Sequence, residues 1–403
     1  MSPLPNHFSL DPRQTAFVQD PYAVYDTLRR ESPVFFWEQL GHWCFASHQD
    51  VTALLRDRRF GRQILHLATR EELGWPEPPP HLAPFYQFEK HSLLELEPPV
   101  HSRLRNFIGP SFLPRQIERL KPRIEHLAHQ LIDRFESDHR TDLIASFASP
   151  IPVSVIAGLL GVPEEMAPQL LSWSHDMVGI YQARRDRQIE DRAVEATLAF
   201  SAYIGERLEE LRRHPGEDLL SQLITARDPS GDLLRQEELV TTAILLLNAG
   251  HEASVHALGN GVQALLTHAS LADFAASPAS CCEEMLRFDP PLHMFKRYAL
   301  EDIEYQGLSL KQGDQIGLLL GSANRDPDKF DNPQIFQPDR RPNPHVSFGG
   351  GIHFCIGAPL ARLELQTALS VLFQRLPHLQ LSTQGRYRDT WHFHALENLP
   401  LVW

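Results

Sequence analysis

Apolar and polar positions follow several distinct rhythms along this chain. The run Asp20-Pro-Tyr-Ala-Val-Tyr-Asp-Thr-Leu-Arg-Arg places a proline near the head of a helical pattern. Two short apolar runs, Val34 to Trp37 and residues 42–46, read as strands. Residues 63–99 are crowded with prolines, including Pro76, Pro78, Pro79 and Pro80, and predict a long irregular loop, of the kind that is often functional. From residue 101 to about 211 apolar residues recur at three and four, the spacing of helices. A second long helix is predicted over residues 235–268, roughly 50 Å at the α-helical rise. Its middle is apolar on nearly every side, so it should cross the core. After Lys311 the pattern fades into Pro- and Asn-rich coil up to Pro344, and a last helix is expected just after Cys355. With no internal repeat, low-complexity tract or linker, the expectation is one mainly α domain over residues 1–403 with a small β portion.

Composition works mainly by exclusion. Hydrophobic residues make up 42% and charged residues 22%, ordinary for a chain with a sizeable core. A formal net charge of -13 argues against general nucleic-acid binding, which needs a basic footprint. The start, Met1-Ser-Pro-Leu-Pro-Asn-His, has no basic segment followed by an apolar one, so neither a signal peptide nor a membrane anchor is expected. The apolar run around residues 243–247 is broken by Asn248, His251 and Glu252 and is too short to span a bilayer. A cytoplasmic protein without membrane or nucleic-acid partners is the expectation. The cysteines Cys44, Cys281, Cys282 and Cys355 form no C-x-x-C pair and suggest neither a disulfide framework nor a zinc site. Any special role belongs to one cysteine acting alone.

Residues 345–362 read His-Val-Ser-Phe-Gly-Gly-Gly-Ile-His-Phe-Cys-Ile-Gly-Ala-Pro-Leu-Ala-Arg. Three glycines let the backbone approach a flat surface without a Cβ in the way, and Gly357 frees the other side of Cys355. A helix from about Ala358 would aim its N-terminus near the sulfur, and that dipole favours a thiolate. Such an anionic sulfur in a backbone-lined cradle can serve as an axial ligand to a heme iron. For a lone thiol, a buried structural cysteine in a glycine-rich turn is the plain account. Here, however, Phe348-x-x-Gly351-x-His353-x-Cys355-x-Gly357 resembles the heme-binding signature of the cytochrome P450 family.

The resemblance runs from about Asp20 to Trp403. It implies the cytochrome P450 fold, with heme b (iron protoporphyrin IX) between the long central helix and the cysteine loop. Cys355 would be the axial ligand, with Phe348, Gly349 and Gly357 beside the cofactor. Glu284-Met-Leu-Arg287 matches the family's E-x-x-R, two side chains on one helix face, and Arg340 in the following meander would complete that network. Glu97-Pro-Pro-Val-His-Ser-Arg-Leu-Arg105 resembles the segment in which a His and an Arg grip a heme propionate. His101 and Arg105 would do so here, with Arg297, His345 and His353 as further anchors.

Ala249-Gly250-His251-Glu252-Ala253-Ser254 falls in the middle of the long helix. Small residues at 249 and 250 leave room for a ligand, and the family often kinks here. An acid in so apolar a setting needs partners or a proton-handling role, and the family uses the one matching Glu252 for proton delivery. The family usually has threonine next, where this chain has Ala253; Ser254 is rotated about 100° around the helix and substitutes poorly. Three readings stand. The substrate or an ordered water supplies the missing hydroxyl. Alternatively the enzyme performs an oxidative coupling, with help from His251 or His256, or it uses peroxide.

The resemblance draws the substrate pocket from residues 63–91, Leu245, Leu246, Ala249, Leu292, Phe295 and Phe393. A hydrophobic or aromatic small molecule with some polar group is expected. The implied activity is monooxygenation, chiefly hydroxylation; a non-catalytic heme sensor or carrier is the alternative of another class. With the chain ending at Trp403, electrons are expected from a separate ferredoxin and ferredoxin reductase. Arg103, Arg105, Arg115, Arg119, Lys121 and Arg123 against Glu118 form a local basic excess suited to docking an acidic ferredoxin.

Overall fold

The computed structural model describes residues 7–181, 185–390 and 393–403. The opening stretch read above as neither leader nor anchor lies, in residues 1–6, outside the described residues. The architecture is mainly helical with small sheets. At its centre runs one continuous α-helix, Gln236–His268, starting one residue later than predicted and without a π-helical turn at Ala249–Gly250. Ile244, Leu247, Leu258, Val262 and Leu265 are fully buried along it. Each such side chain contributes about 1.5–3 kcal/mol of burial free energy. The helices Pro150–Leu159, Ala167–Val178, Arg187–Arg213, Pro278–Phe288 and Ala358–Arg375 pack around it. No helix among the described residues is long and apolar enough to cross a membrane.

The largest sheet has six strands in the spatial order His7–Phe8, Val34–Trp37, His42–Phe45, Gln315–Leu319, Met294–Ala299 and Phe60–Gly61. Gln315–Leu319 falls where coil was expected. The five residues Gln-Ile-Gly-Leu-Leu are short for a periodic signal, but pairing with Met294–Ala299 and His42–Phe45 buries four of them. The expected irregular loop over 63–99 contains a helix, Ala83–Glu89, flanked by 3₁₀ turns at Pro80–Leu82 and Leu93–Glu95. Its prolines are not breakers there: Pro80 and Pro84 sit in first-turn positions, where the missing N–H costs nothing. The helical stretch predicted from 101 to 211 is interrupted by strand Arg140–Asp142, which pairs with Pro400–Val402, and by a π-helical turn at Ile144–Ala148. Residues 182–184 of that stretch lie outside the described residues.

Candidate functional site

Cys355 lies just ahead of helix Ala358–Arg375, and its N–H donates to the Phe348 carbonyl at 3.0 Å, closing the loop. Gly349 and Gly351 adopt left-handed φ values of 68° and 66°. A Cβ on Gly351 would stand 2.5 Å from the Leu55 carbonyl oxygen, and one on Gly349 3.0 Å from the Phe295 ring. Gly350 lies against Leu55 and Arg56. The turn and the protein's own wall at Leu55 and Phe295 therefore favour glycine at all three positions. At Gly357 a Cβ would meet only the Cys355 Sγ, in ordinary contact at 3.9 Å, so the protein alone does not require glycine there. Burial raises the Cys355 thiol, while the N–H groups of Gly357 and Ala358 and the charges of Arg105 and Arg362 pull toward the thiolate. Cys44, Cys281 and Cys282 are wholly buried and pushed upward by burial, Cys281 to about 12. Cys355, also raised by burial, is the one half-accessible thiol of the four and so the one a metal can reach.

The loop is braced from behind. Arg287, fully buried, donates Nε and Nη2 to the two oxygens of Glu284 at 2.7 Å each. Arg340 donates Nε to the same carboxylate at 3.0 and 3.1 Å. Both guanidiniums also hold carbonyls of the coil 324–335, and the Asn324 side chain passes the restraint to Val346 N–H and Ser347 Oγ at 2.8 Å each. Phe348 packs against His345 and Phe354, with the Arg362 guanidinium 4.6 Å over its ring.

Four of the five residues expected to meet an anionic group gather together. The His101 and His353 rings lie 4.4 Å apart, and His101 is buried with its Nδ1 unpartnered. Burial, with the neighbouring charges of His353 and Arg105, lowers His101 to about 4. Arg297 is 2% exposed and donates to the Lys296 carbonyl, with no paired carboxylate among the described residues. Burial and the nearby Arg62 bring it down to about 9. Arg105 reaches the Phe354 carbonyl at 2.6 Å. His345 stands apart: it meets Glu283 at 3.1 Å, and Glu283 is also forked by Arg362 at 2.7 and 2.8 Å.

On the central helix Leu245, Ala249 and Ala253 recur every four residues on one face and are not buried; Asn248 and Gly250 between them are half-buried as well. Gly250 also serves helix packing: a Cβ there would stand 3.0 Å from the Ile156 side chain. Glu252 is 9% exposed, with Oε1 3.0 Å from His175 Nε2 and Oε2 3.3 Å from His256 Nε2. Burial opposes its charge, but the hydrogen bonds from His175 and His256 prevail and hold it well below the usual carboxylate range. Ser254 turns toward Glu364 of the helix after Cys355, a carboxyl raised by burial to about 8. Leu246 is buried, Leu292 and Phe393 bridge to one another, and Phe295 faces Gly349.

The family model described as Cytochrome P450 matches residues 279–393. The biotin biosynthesis cytochrome P450 of Bacillus subtilis (strain 168) is 36% identical over 393 residues, covering 96% of this chain and 97% of the relative. The chain is a cytochrome P450. The vitamin D(3) 25-hydroxylase of Pseudonocardia autotrophica is 36% identical over 397 residues, covering 96% of this chain and 94% of that one. The crystal structure of P450BioI with a hexadec-9Z-enoic acid-ligated acyl carrier protein superposes with a TM-score of 0.89 at 36% identity, covering 97% and 100% of the two chains. The P450 is thus an oxidoreductase of the heme monooxygenase class, and its residues fit a heme. The glycine-flanked Cys355 offers the axial thiolate, and the unpartnered His101 Nδ1 with the unpaired Arg297 offers donors to carboxylates.

Three residues of the P450 site escaped the sequence. Glu97 accepts from His353 at 3.0 Å and from the Arg62 N–H at 2.5 Å, although it stood at the head of the quoted His101 segment. Glu283 adjoins Glu284 but no periodicity marks it. His175 reaches Glu252 from the distant helix Ala167–Val178 and leaves no sequence signal at all.

Proposed function

We propose that residues 1–403 form a single catalytic domain that hydroxylates a hydrophobic or aromatic small molecule. Heme b would lie between the central helix and the cysteine loop, and a separate ferredoxin and ferredoxin reductase would supply electrons in the cytoplasm. The observation that carries this reading is the face opened at Leu245, Ala249 and Ala253 beside the ionised Glu252. Apolar side chains there select an apolar substrate, and the acid beside them can hand on protons. Relatives solved with an acyl-loaded carrier protein and with myristic acid support the apolar class.

When bound, heme supplies oxygen activation at its iron. Cys355 would donate electron density to it, and His101, Arg105, Arg297 and His353 would hold its propionates; His345, engaged by Glu283, instead steadies the loop. Glu252 Oε1 accepts a hydrogen bond from His175, whose 49% exposed side chain meets solvent and would link the carboxylate to it for proton delivery. His256 holds Oε2 and orients the carboxylate. Ala253 lacks the hydroxyl that would pass the proton on, so a polar group of the substrate or an ordered water does so. A peroxide-driven oxidation is the second reading, favoured by that same missing hydroxyl.

The exposed basic residues Arg115, Arg119 and Lys121 lie on or beside short helices that pack along Ala358–Arg375 and provide the ferredoxin face. Arg103 drops out of it, being paired with Asp228 and Glu238 at 3.1 and 2.9 Å. Titrating the ferric protein with hydrophobic and aromatic compounds tests the reading, with the carbon monoxide spectrum of the reduced form taken on the same sample. A low-to-high-spin shift with one chemical class names the substrate family. Loss of the thiolate band in folded protein would remove Cys355 as ligand.

A further inference from the structure

Two clusters of potential metal ligands exist among the described residues: Asp289 with His293 and His394, and His175 with His251 and Glu252. They differ in one decisive respect. In the first, all four imidazole nitrogens have partners: Asp289, Tyr22, Tyr25 and the Val18 carbonyl. Tyr22 and Tyr387 add hydrogen bonds to Asp289 at 2.7 and 2.6 Å. That cluster is a closed structural hub.

The second is not closed. His251 is 1% exposed, yet neither ring nitrogen meets hydrogen-bond geometry; the Ser149 carbonyl gives only weak support, and the nearest carboxylate oxygen, Glu252 Oε1, is 3.8 Å from Nδ1. A buried imidazole without partners loses the hydrogen bonds it had in water, about 1–3 kcal/mol. One ligand atom from each of His175, His251 and Glu252 lies within 4.8 Å of the others, a span that a small cation can bridge. The carboxylate is already oriented for this. His256 holds Oε2 at 3.3 Å, so Oε1 is turned toward His175 and His251, as an outer partner orients a metal ligand. The half-exposed His175 opens the path from solvent, which a fully buried cluster lacks.

We propose that His175, His251 and Glu252 form a divalent transition-metal site, suited to zinc, joining the helix Ala167–Val178 to the central helix. Two imidazoles and one carboxylate form a zinc donor set with a fourth position open to water. The ion displaces only the His175–Glu252 hydrogen bond and gives His251 the partner it lacks. Occupancy also locks Glu252, so zinc inhibits oxygen-dependent turnover; that consequence rests on the proton role proposed above, whereas the binding does not.

Binding is therefore tested apart from activity, by calorimetric titration of the heme-loaded protein with zinc chloride beside the His175→Ala variant. Since other surface histidines also take zinc, the reading is the difference: wild type binds one more equivalent than the variant. A zinc-soaked crystal then shows an anomalous peak about 2.0–2.1 Å from the ligand atoms of all three residues. Equal stoichiometry and affinity in both proteins, with the variant's thiolate–carbon monoxide band intact, overturns the site. Binding without inhibition keeps the site and removes the proton role of Glu252.

Discussion

Replacing Arg287 by lysine keeps the positive charge but removes a planar fork engaged at every nitrogen. Two of its acceptors are the oxygens of Glu284 at 2.7 Å, and three are the carbonyls of Asn324, Pro333 and Ile335 at 2.9, 2.9 and 3.3 Å. An ammonium carries three donors at one point, so at least two of these five bonds are lost, and the carbonyls of Asn324 and Pro333, unlike the Glu284 oxygens and the Ile335 carbonyl, have no second donor from Arg340. Each lost bond from a charged donor costs about 1.5–3 kcal/mol. Arg340 still binds Glu284 and limits the damage, which places the loss at about 3 kcal/mol, the lower end for breaking a buried ion pair. The assay is urea unfolding followed by tryptophan fluorescence, with the reduced carbon monoxide spectrum taken at each urea concentration. The midpoint should fall. The thiolate band should vanish at still lower urea, because Asn324 couples the Arg287 acceptors to Val346 and Ser347 of the cysteine loop. A change below about 0.5 kcal/mol, the ordinary range for surface substitutions, with the band retained as in wild type, would refute this account of the network.

Four further outcomes are expected. Gly351→Ala puts a Cβ into the Leu55 carbonyl at a positive φ and should cost about 2 kcal/mol or more, with faster loss of bound heme on warming; a Soret melting curve matching wild type would show that the loop relaxes freely. Glu283 sits at about 2, because hydrogen bonds from Arg362 and His345 outweigh the burial that opposes ionisation. A depressed carboxylate stabilises the fold above its unfolded value of about 4.3 and loses that contribution as pH falls toward about 2, so the urea-midpoint gap between wild type and Glu283→Gln should be about 2–3 kcal/mol at neutral pH and close in acid. A gap of constant size from neutral pH to about 3 would contradict it. Ala253→Thr should leave turnover of the native substrate unimproved while raising coupling for substrates without a hydroxyl; better coupling with every substrate would show that substrate assistance is not needed. Reversing charge at Arg115 or Arg119 should slow reduction by an acidic ferredoxin and flatten its salt dependence, and unchanged stopped-flow rates would place docking elsewhere.

What could be read from the chain alone follows a physical division. The central helix was legible to within one residue because its helical pattern, apolar through the middle, runs for 33 residues, and the cysteine loop because its glycines and histidine cluster within a few positions. Ala83–Glu89 was hidden by its prolines, which break a helix interior but are tolerated in a first turn. The acids that tune the site, Glu97 and Glu283, and the imidazole that meets Glu252, His175, owe their positions to tertiary contacts that no local spacing encodes. A small residue on a helix suits a ligand or a neighbouring side chain equally well, and the packing of Ile156 against Gly250 could not be read from local spacing.

The coil that Arg287 and Arg340 grip from the inside is unusual in how it stores its shape. Its carbonyls are held by two side chains from elsewhere rather than by a neighbouring strand, and its inward side chains, Asn324, Arg325, Asp326 and Phe330, add to that hold. Ile335, 60% exposed, points outward from a scaffold that would keep its course with almost any residue there. Such a segment behaves as a rigid display surface. Its outward positions can drift or be reselected over generations without disturbing the cysteine loop that it leads into, giving descendants of this chain a patch on which recognition can change while the chemistry beneath stays fixed.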